Sequence, residues 1–428
     1  MPIVEFEIPP GRRLLINVRR ESTSLMVDQA LTLSYDREGR MTGAWIQGRN
    51  YRRSLDNRVI EKYEGAQPGL AHRVRREMVD AEAQVFFADA LARVVAYRQA
   101  LDDAATRLIT NSPPDDCQCV RDALDRILEW DWERLQRDRE TFHIIYKPVS
   151  ILPPDQYLAL VLQATEGCSY NQCAFCGFYR QRKFYIKSLD EFRNHIHDVR
   201  AFFGGAIGLR KTIFLADANA LMMPQAQLLP LFDVIHSELA IHPRTLQDDA
   251  LKAWEAQHPI HFEGIYSFID AFTTRRKTAR EFVELAARGL RRVYIGLESG
   301  DAELLRFMGK PNSPDDVVQL VDHVKAGGVA VGIIILAGAG GNQYADQHVR
   351  GTIEIVNRLP LDKNDLIYFS ELVDFPGSDY SALARDAKIR PLTIAEIEHQ
   401  MTQMRAGLDF HVADAPKASY YDIREFIY

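Results

Sequence analysis

"YLALVLQATEGCSYNQCAFC", residues 157–176, carries an apolar run straight into a loop with three cysteines, Cys168, Cys173 and Cys176. The run 157–164 reads as a strand. It opens a series in which apolar strand, loop and helix alternate about six times. The later strands are expected in "TIFLAD" (212–217), "GIYSFI" (264–269), "RVYIGLE" (292–298), "VAVGIIILAG" (329–338) and "LIYFSELV" (366–373). Helices are expected to start at Ser188/Glu191 and Thr278/Glu281, and a later one at Thr393/Glu396, where a hydroxyl and a carboxylate satisfy free backbone donors. Such alternation means a parallel sheet, either an open doubly wound sheet or an incomplete barrel. In both, ligands gather at the carboxyl ends of the strands, and the cysteine loop follows the first strand at that end.

Upstream the pattern is different. Residues 3–62 alternate short apolar runs with turns, and "DREGR" (36–40), between "LTLSY" and "MTGAWI", reads as a hairpin loop, so a β-rich cap is expected. From 70 to 108, Met78, Ala81, Val85, Ala88, Ala92 and Val95 recur at helical spacing and are expected on one buried face, until "NSPPDD" breaks the helix. A second helix is expected over 118–140, with Val120, Leu124, Ile127 and Leu128 inward. The organisation expected is an α+β accessory region over 1–150 (a β-rich cap and a helical pair), an α/β region over 151–380 and a helical extension over 381–428.

Composition narrows the class. With 46% hydrophobic and 26% charged residues among 428, the chain can bury a full core. Its net charge of -7 offers no positive field for a phosphate backbone, so no nucleic acid is expected, and the basic "TTRRKTAR" (273–280) reads as a solvated helix start. No run of apolar residues is long enough to span a bilayer and "MPIVEFEIPPGRR" lacks a signal-peptide layout, so the expectation is a cytoplasmic protein without a membrane. Five cysteines are too few for a disulfide framework, which leaves metal binding as the leading use of the cluster.

Structural zinc and electron-transfer iron–sulfur clusters both take four protein ligands, so three local thiols leave one position open. Cys117 and Cys119 lie in the other region and read as free surface thiols. Something must bind at the open position, and other strand ends offer partners. "IGLESG" supplies Glu298, Ser299 and Gly300, a carboxylate suited to ribose hydroxyls beside a glycine that admits a ligand. "LAGAGG" (336–341) includes Gly338, and "LADANAL" (215–221) places Asp217 and Asn219 at the same rim; a tight turn and an ordinary helix N-cap are the plainer readings of these two.

The order of "CSYNQCAFC", "FLADANAL", "YIGLESGD" and "GIIILAGAGG" resembles the radical S-adenosylmethionine (SAM) enzymes, nearest the oxygen-independent coproporphyrinogen oxidase-like and Elongator-like branch, over about 157–375. The resemblance implies an incomplete (β/α)6 TIM-like barrel. It also implies a 4Fe-4S cluster on Cys168, Cys173 and Cys176, whose fourth iron chelates SAM. Reductive cleavage then yields methionine and a 5′-deoxyadenosyl radical that abstracts hydrogen from an organic substrate. Matched by position, Phe175 and Gly338 fall near adenine, Glu298, Ser299 and Gly300 at the ribose, and Asp217 or Asn219 at the methionine amino group, Asp217 preferred for its carboxylate. The chain departs from the family twice: four residues separate Cys168 from Cys173 where three are commonest, and "ADANA" (216–220) replaces the usual Gly-Gly-Glu.

Only Cys117 and Cys119 remain for any further cluster, which argues against an auxiliary one. "DQHVRG" (346–351) matches a cobalamin-binding signature, but it lies inside the barrel region without the later glycine pair, so His348 is expected on a helix surface. Substrate contacts are sought at Tyr266, Glu371 and Asp374, and "FSELVDFPG" (369–377) also reads as a plain strand end and turn. Tyr170, Phe178 and Tyr179 around the loop are expected to shield the cluster. Expected partners are a small-molecule or peptide substrate and a reductant such as flavodoxin or ferredoxin. The rival reading is a non-catalytic zinc-binding or scaffold protein using the same cysteines and one histidine.

Overall fold

The computed structural model describes residues 2–65, 73–273, 277–374 and 378–428. The chain divides into two compact units, Met1–Val149 with Asp198–Arg210 and Ile427–Tyr428, and Ser150–His197 with Lys211–Phe426.

The first unit is built on an antiparallel sheet of β1 (Ile3–Ile8), β2 (Arg12–Val18), β3 (Ser22–Val27), β4 (Leu31–Asp36), β5 (Met41–Ile46), β6 (Arg49–Arg53), β7 (Val59–Glu64), β8 (Arg73–Glu77) and β9 (Arg107–Leu108). Its order is β8-β7-β6-β5-β4-β3-β2-β1-β9, and the expected hairpin joins β4 to β5. Burial alternates along the strands (Leu14, Ile16 and Val18 in β2), because one face packs on helices α1 (Asp80–Ala100), α2 (Pro114–Leu128) and α3 (Trp132–Ile145). Two expectations are corrected here. The buried stripe of α1 is Ala83, Phe87, Ala90, Val94 and Tyr97, while Val85 and Val95 are exposed. Two helical faces compete in this alanine-rich segment, and the one with Phe87 and Tyr97 removes more apolar area from water. The second helix is two: α2 ends at Leu128, and Asp131 caps α3 by accepting from the Arg134 N–H.

The second unit holds an all-parallel sheet of β10 (Leu160–Gln163), β13 (Ile213–Ala216), β14 (Ile265–Ile269), β15 (Leu290–Glu298), β16 (Ala330–Ala337), β17 (Leu366–Glu371) and β18 (Lys417–Tyr421), paired in that order. A short antiparallel pair, β11 (Thr165–Glu166) and β12 (Tyr185–Ile186), flanks the cysteine loop. Every residue of β10 and β13 is buried, as parallel strands covered on both faces must be. Helices intervene: α4 (Leu189–Phe203), α5 (Gln225–Glu238), α6 (Asp248–Gln257), α7 (Ala279–Ala287), α8 (Ala302–Phe307), α9 (Pro314–Ala326), α10 (Gly341–Asn357), α11 (Asp379–Asp386) and α12 (Ile394–Ala406). The capping boxes at Thr278/Glu281 and Thr393/Glu396 form, and Ser188 and Glu191 exchange the same two hydrogen bonds. The sheet therefore has a seventh strand beyond the six expected. The segment 381–428, expected as helical, returns to it through β18, whose sequence "KASYY" buries only Tyr421 fully and gives no apolar run to read. No described helix is long and apolar enough to cross a membrane.

Candidate active site

The cysteine loop is tied down at both stems. The Gly167 N–H and the Arg182 guanidinium both donate to Asp217 Oδ2, at 3.1 and 2.9 Å, and Arg182 also donates to Ser150 Oγ and the Phe178 carbonyl. Arg180 donates to the carbonyls of Cys173 and Cys176, while the Ala174 N–H reaches the Met308 carbonyl at 2.8 Å. Tyr170 donates to the Gly309 carbonyl and packs edge-on against Phe272. So anchored, the loop presents Cys168, Cys173 and Cys176 to one cavity of about 230 Å³.

Burial pushes the Cys173 thiol up to about 12, against the pull of Lys310, and pushes Cys176 up as well. Such thiols stay protonated at neutral pH unless a metal supplies positive charge. Among the described residues, the three sulfurs do not all lie within 4.8 Å of one another. Three thiols on one loop with a cavity beside them fit an iron–sulfur cluster that keeps one position for a further ligand.

The rest of the cavity comes from carboxyl ends of strands. Glu298, the last residue of β15, has φ 61°, and the register slips between Gly296 and Glu298. A non-glycine residue there costs about 1 kcal/mol, and the bulge turns the carboxylate into the cavity wall. Lys310, which is 7% exposed, holds it with an ion pair of 2.9 Å and also donates to the Gly296 carbonyl. Asn219, past β13, donates to Asp270 and to Thr273 Oγ1, while its Oδ1 is buried without a hydrogen-bond partner. An orphaned acceptor beside a cavity fits a ligand ammonium group. Phe175, Phe178, Tyr179, Phe268 and Leu336 give the wall its apolar part.

Of the residues expected from sequence, the three cysteines, Phe175, Asn219, Glu298 and Glu371 meet on this wall. Others do not. Asp217 is occupied in bracing the loop, and burial pushes its carboxyl up to about 6 despite Arg182. Ser299 is fully buried behind the wall, and a side chain at Gly300 would collide with the Gly351 backbone, so this glycine serves close packing. Gly338, at φ 82°, donates its N–H to Gln400 and faces Ile397 of α12. Tyr266 stands near the start of β14, away from the carboxyl end, and Asp374 accepts from Ser378 and Ser381 at the start of α11. Glu371 accepts from Arg424 at 2.7 Å.

His348 is corrected too: it is fully buried. The Leu336 carbonyl beside Nε2 can only accept, so the one proton of the neutral ring sits there and Nδ1 accepts from Ser299 Oγ at 2.7 Å. The imidazole is then the Nε2–H tautomer, donating to the Leu336 carbonyl at 3.2 Å, and both nitrogens are engaged. Burial lowers its pKa to about 4. Cys117 and Cys119 are free and half-buried in the first two turns of α2. In the basic stretch, Lys277 is buried and donates to Gln225, while Thr274, Arg275 and Arg276, like Phe375, Pro376 and Gly377 of the turn after β17, lie outside the described residues. Sequence reasoning missed Lys310 and Asp270. Asp270 directly follows the "GIYSFI" strand and was open to the same strand-end rule; Lys310 sits in a short connection after α8 with no motif.

Thiols on one loop at the carboxyl end of a parallel sheet, beside a cavity with its own polar partners, make this a candidate metal-dependent active site. Residues 162–354 match the family model described as the Radical SAM superfamily, whose enzymes use a 4Fe-4S cluster and SAM. No curated protein matches the chain. Among solved structures, coproporphyrinogen III oxidase from Escherichia coli is 15% identical, with a TM-score of 0.39 over 58% of this chain and 51% of that one, so the chain spans about half its length. The archaeal Elp3 of Methanocaldococcus infernus is 10% identical, with a TM-score of 0.36 over 61% and 56% of the two chains. The cobalamin-dependent radical enzyme OxsB is 16% identical, with a TM-score of 0.35 over 56% and 31%.

Proposed function

We propose that this protein is a radical SAM enzyme whose second unit is an incomplete barrel and which acts on a small organic or peptide substrate. The observation that carries this is the single cavity in which three thiols, an orphaned acceptor on Asn219 and the strained carboxylate of Glu298 come together. When bound and reduced, cluster and SAM supply methionine and a 5′-deoxyadenosyl radical for hydrogen abstraction.

In this reading Cys168, Cys173 and Cys176 hold the cluster and leave the cavity side open. Asn219 Oδ1, rather than Asp217, accepts from the SAM ammonium. Glu298 receives the ribose hydroxyls, aimed by its ion pair with Lys310. Phe175 packs near adenine. The aromatic wall excludes water from a reactive species, and Glu371 is left to meet substrate polar groups. A flavodoxin- or ferredoxin-like reductant would deliver the electron, and the cytoplasm is the compartment that suits reduced thiols.

The test is release of 5′-deoxyadenosine and methionine from SAM by the anaerobically reconstituted, chemically reduced protein, with Cys168→Ala, Cys173→Ala and Cys176→Ala as controls. Cysteine-dependent release is expected. Stoichiometric zinc with no iron or acid-labile sulfide would overturn the reading and promote a metal-binding scaffold.

A further inference from the structure

A second set of metal-ligating side chains lies at the other end of the parallel sheet. His242 follows α5, Glu255 is in α6, and His261 precedes the amino end of β14, whereas the thiols follow the carboxyl end of β10. One donor atom from each of the three lies within 4.8 Å of the others. His242 Nε2 is 2.8 Å and His261 Nε2 3.9 Å from the same Glu255 Oε1.

The set is held in place from behind. The His242 N–H donates to the Phe262 carbonyl and the Phe262 N–H to the Ala240 carbonyl, so the two histidine-bearing segments are paired. His261 Nδ1 is 2.7 Å from the His258 carbonyl. A carbonyl can only accept, so Nδ1 carries a proton and Nε2 is the nitrogen turned toward Glu255 and available to a metal. Backbone carbonyls orient metal-binding histidines in this manner. The two imidazoles stack with planes 8° apart, and Trp254 packs edge-on against both, at 5.6 and 5.7 Å. Helix α6, which contributes Glu255, has no buried residue. Helices of this length are held by packing an apolar face, and α6 has little to pack.

We propose that His242, Glu255 and His261 bind one divalent transition-metal ion, zinc first among them, and that the ion clamps α6 to the sheet. Zinc bonds to imidazole nitrogen and carboxylate oxygen set tetrahedral donor separations of about 3.3 Å, between the two distances observed. The side chains are 18%, 36% and 27% exposed, which leaves the fourth position to water. The inference is independent of the chemistry at the thiols.

The experiment uses the reconstituted holoprotein, whose cysteines are occupied by iron. Zinc is titrated against a chromogenic chelator, its ligands are read by X-ray absorption, and hydrogen exchange is followed over 248–257 with and without zinc. One zinc per chain is expected, with nitrogen and oxygen ligands and no sulfur, together with slowed exchange in α6. His242→Ala, Glu255→Gln and His261→Ala should each weaken zinc by at least about 100-fold, since even removing a residue that only orients a ligand costs 10–100-fold. Their iron, sulfide and 5′-deoxyadenosine release should stay at wild-type levels, which certifies folding. Sulfur in the zinc shell, wild-type zinc affinity weaker than about 1 μM, or undiminished binding in His261→Ala would each overturn the proposal. The absorption measurement decides on the wild-type protein even if a variant misfolds.

Discussion

The two ends of the parallel sheet treat polar groups in opposite ways, although the same strands build both. At the amino end, Asp155 receives Arg292 at 3.0 Å and the hydroxyls of Tyr294 and Tyr368 at 2.5 and 2.8 Å. At the carboxyl end, β15 closes on Glu298 in a strained conformation, and Asn219 keeps an acceptor without a partner. At the amino end the Asp155 carboxylate is fully engaged and only the donor Arg292 Nε is left over, which stabilises the fold; at the carboxyl end the atom left over is an acceptor beside a cavity, where a ligand can meet it. Tyr294 joins the two, its ring lining the cavity and its hydroxyl turned to Asp155.

Substitutions should separate the ends by readout. The largest effect is Cys176→Ala, expected to reduce SAM cleavage to background with iron content lowered and the thermal midpoint of the apoprotein little changed. Asp155→Ala is expected to cost about 3 kcal/mol in denaturant unfolding, because Arg292 and two buried hydroxyls lose their acceptor. A loss under about 1 kcal/mol there would break the contrast. Next comes the pH dependence of His348, which belongs to neither end. Its folded pKa of about 4 lies below the unfolded 6.5, so the unfolded chain binds the extra proton between these values and stability falls as pH drops through that window. Acidification from pH 7 to 5 should remove about 2 kcal/mol, and His348→Gln should flatten the slope. The smallest effect on binding is Asn219→Ala, expected to weaken SAM binding about tenfold, the worth of one charge-assisted hydrogen bond, alongside a modest loss of stability from its bonds to Asp270 and Thr273. Equilibrium dialysis of the unreduced protein reads it, and destabilisation without an affinity change would assign Asn219 to the fold.

Much of the sheet was legible because parallel strands are covered on both faces, so "TIFLAD" and "GIIILAG" announce themselves as unbroken apolar runs. The edge strand β18 is half-exposed and polar, and nothing in "KASYY" distinguishes it from a loop. That Cys168, Cys173 and Cys176 share one loop at a strand's carboxyl end was legible from their spacing and from the apolar run before them. Ser299 and His348 were not, since the same small polar residue and the same histidine can face a ligand or each other, and only the packing of α10 against the end of β15 decides. Asp217 misled for a related reason: a carboxylate at a strand end suits a ligand, but here Arg182 and the Gly167 amide reach it first.

The seventh strand carries a consequence for how the chain must be handled. β18 covers the outer edge of β17, a strand buried along Ile367–Ser370, through pairings from Leu366 to Ser370. A fragment ending before Lys417 would leave that edge as an open row of amides and carbonyls on an apolar strand, a template for other chains. Truncation at the C-terminus should therefore act first on solubility, producing aggregates before it touches catalysis.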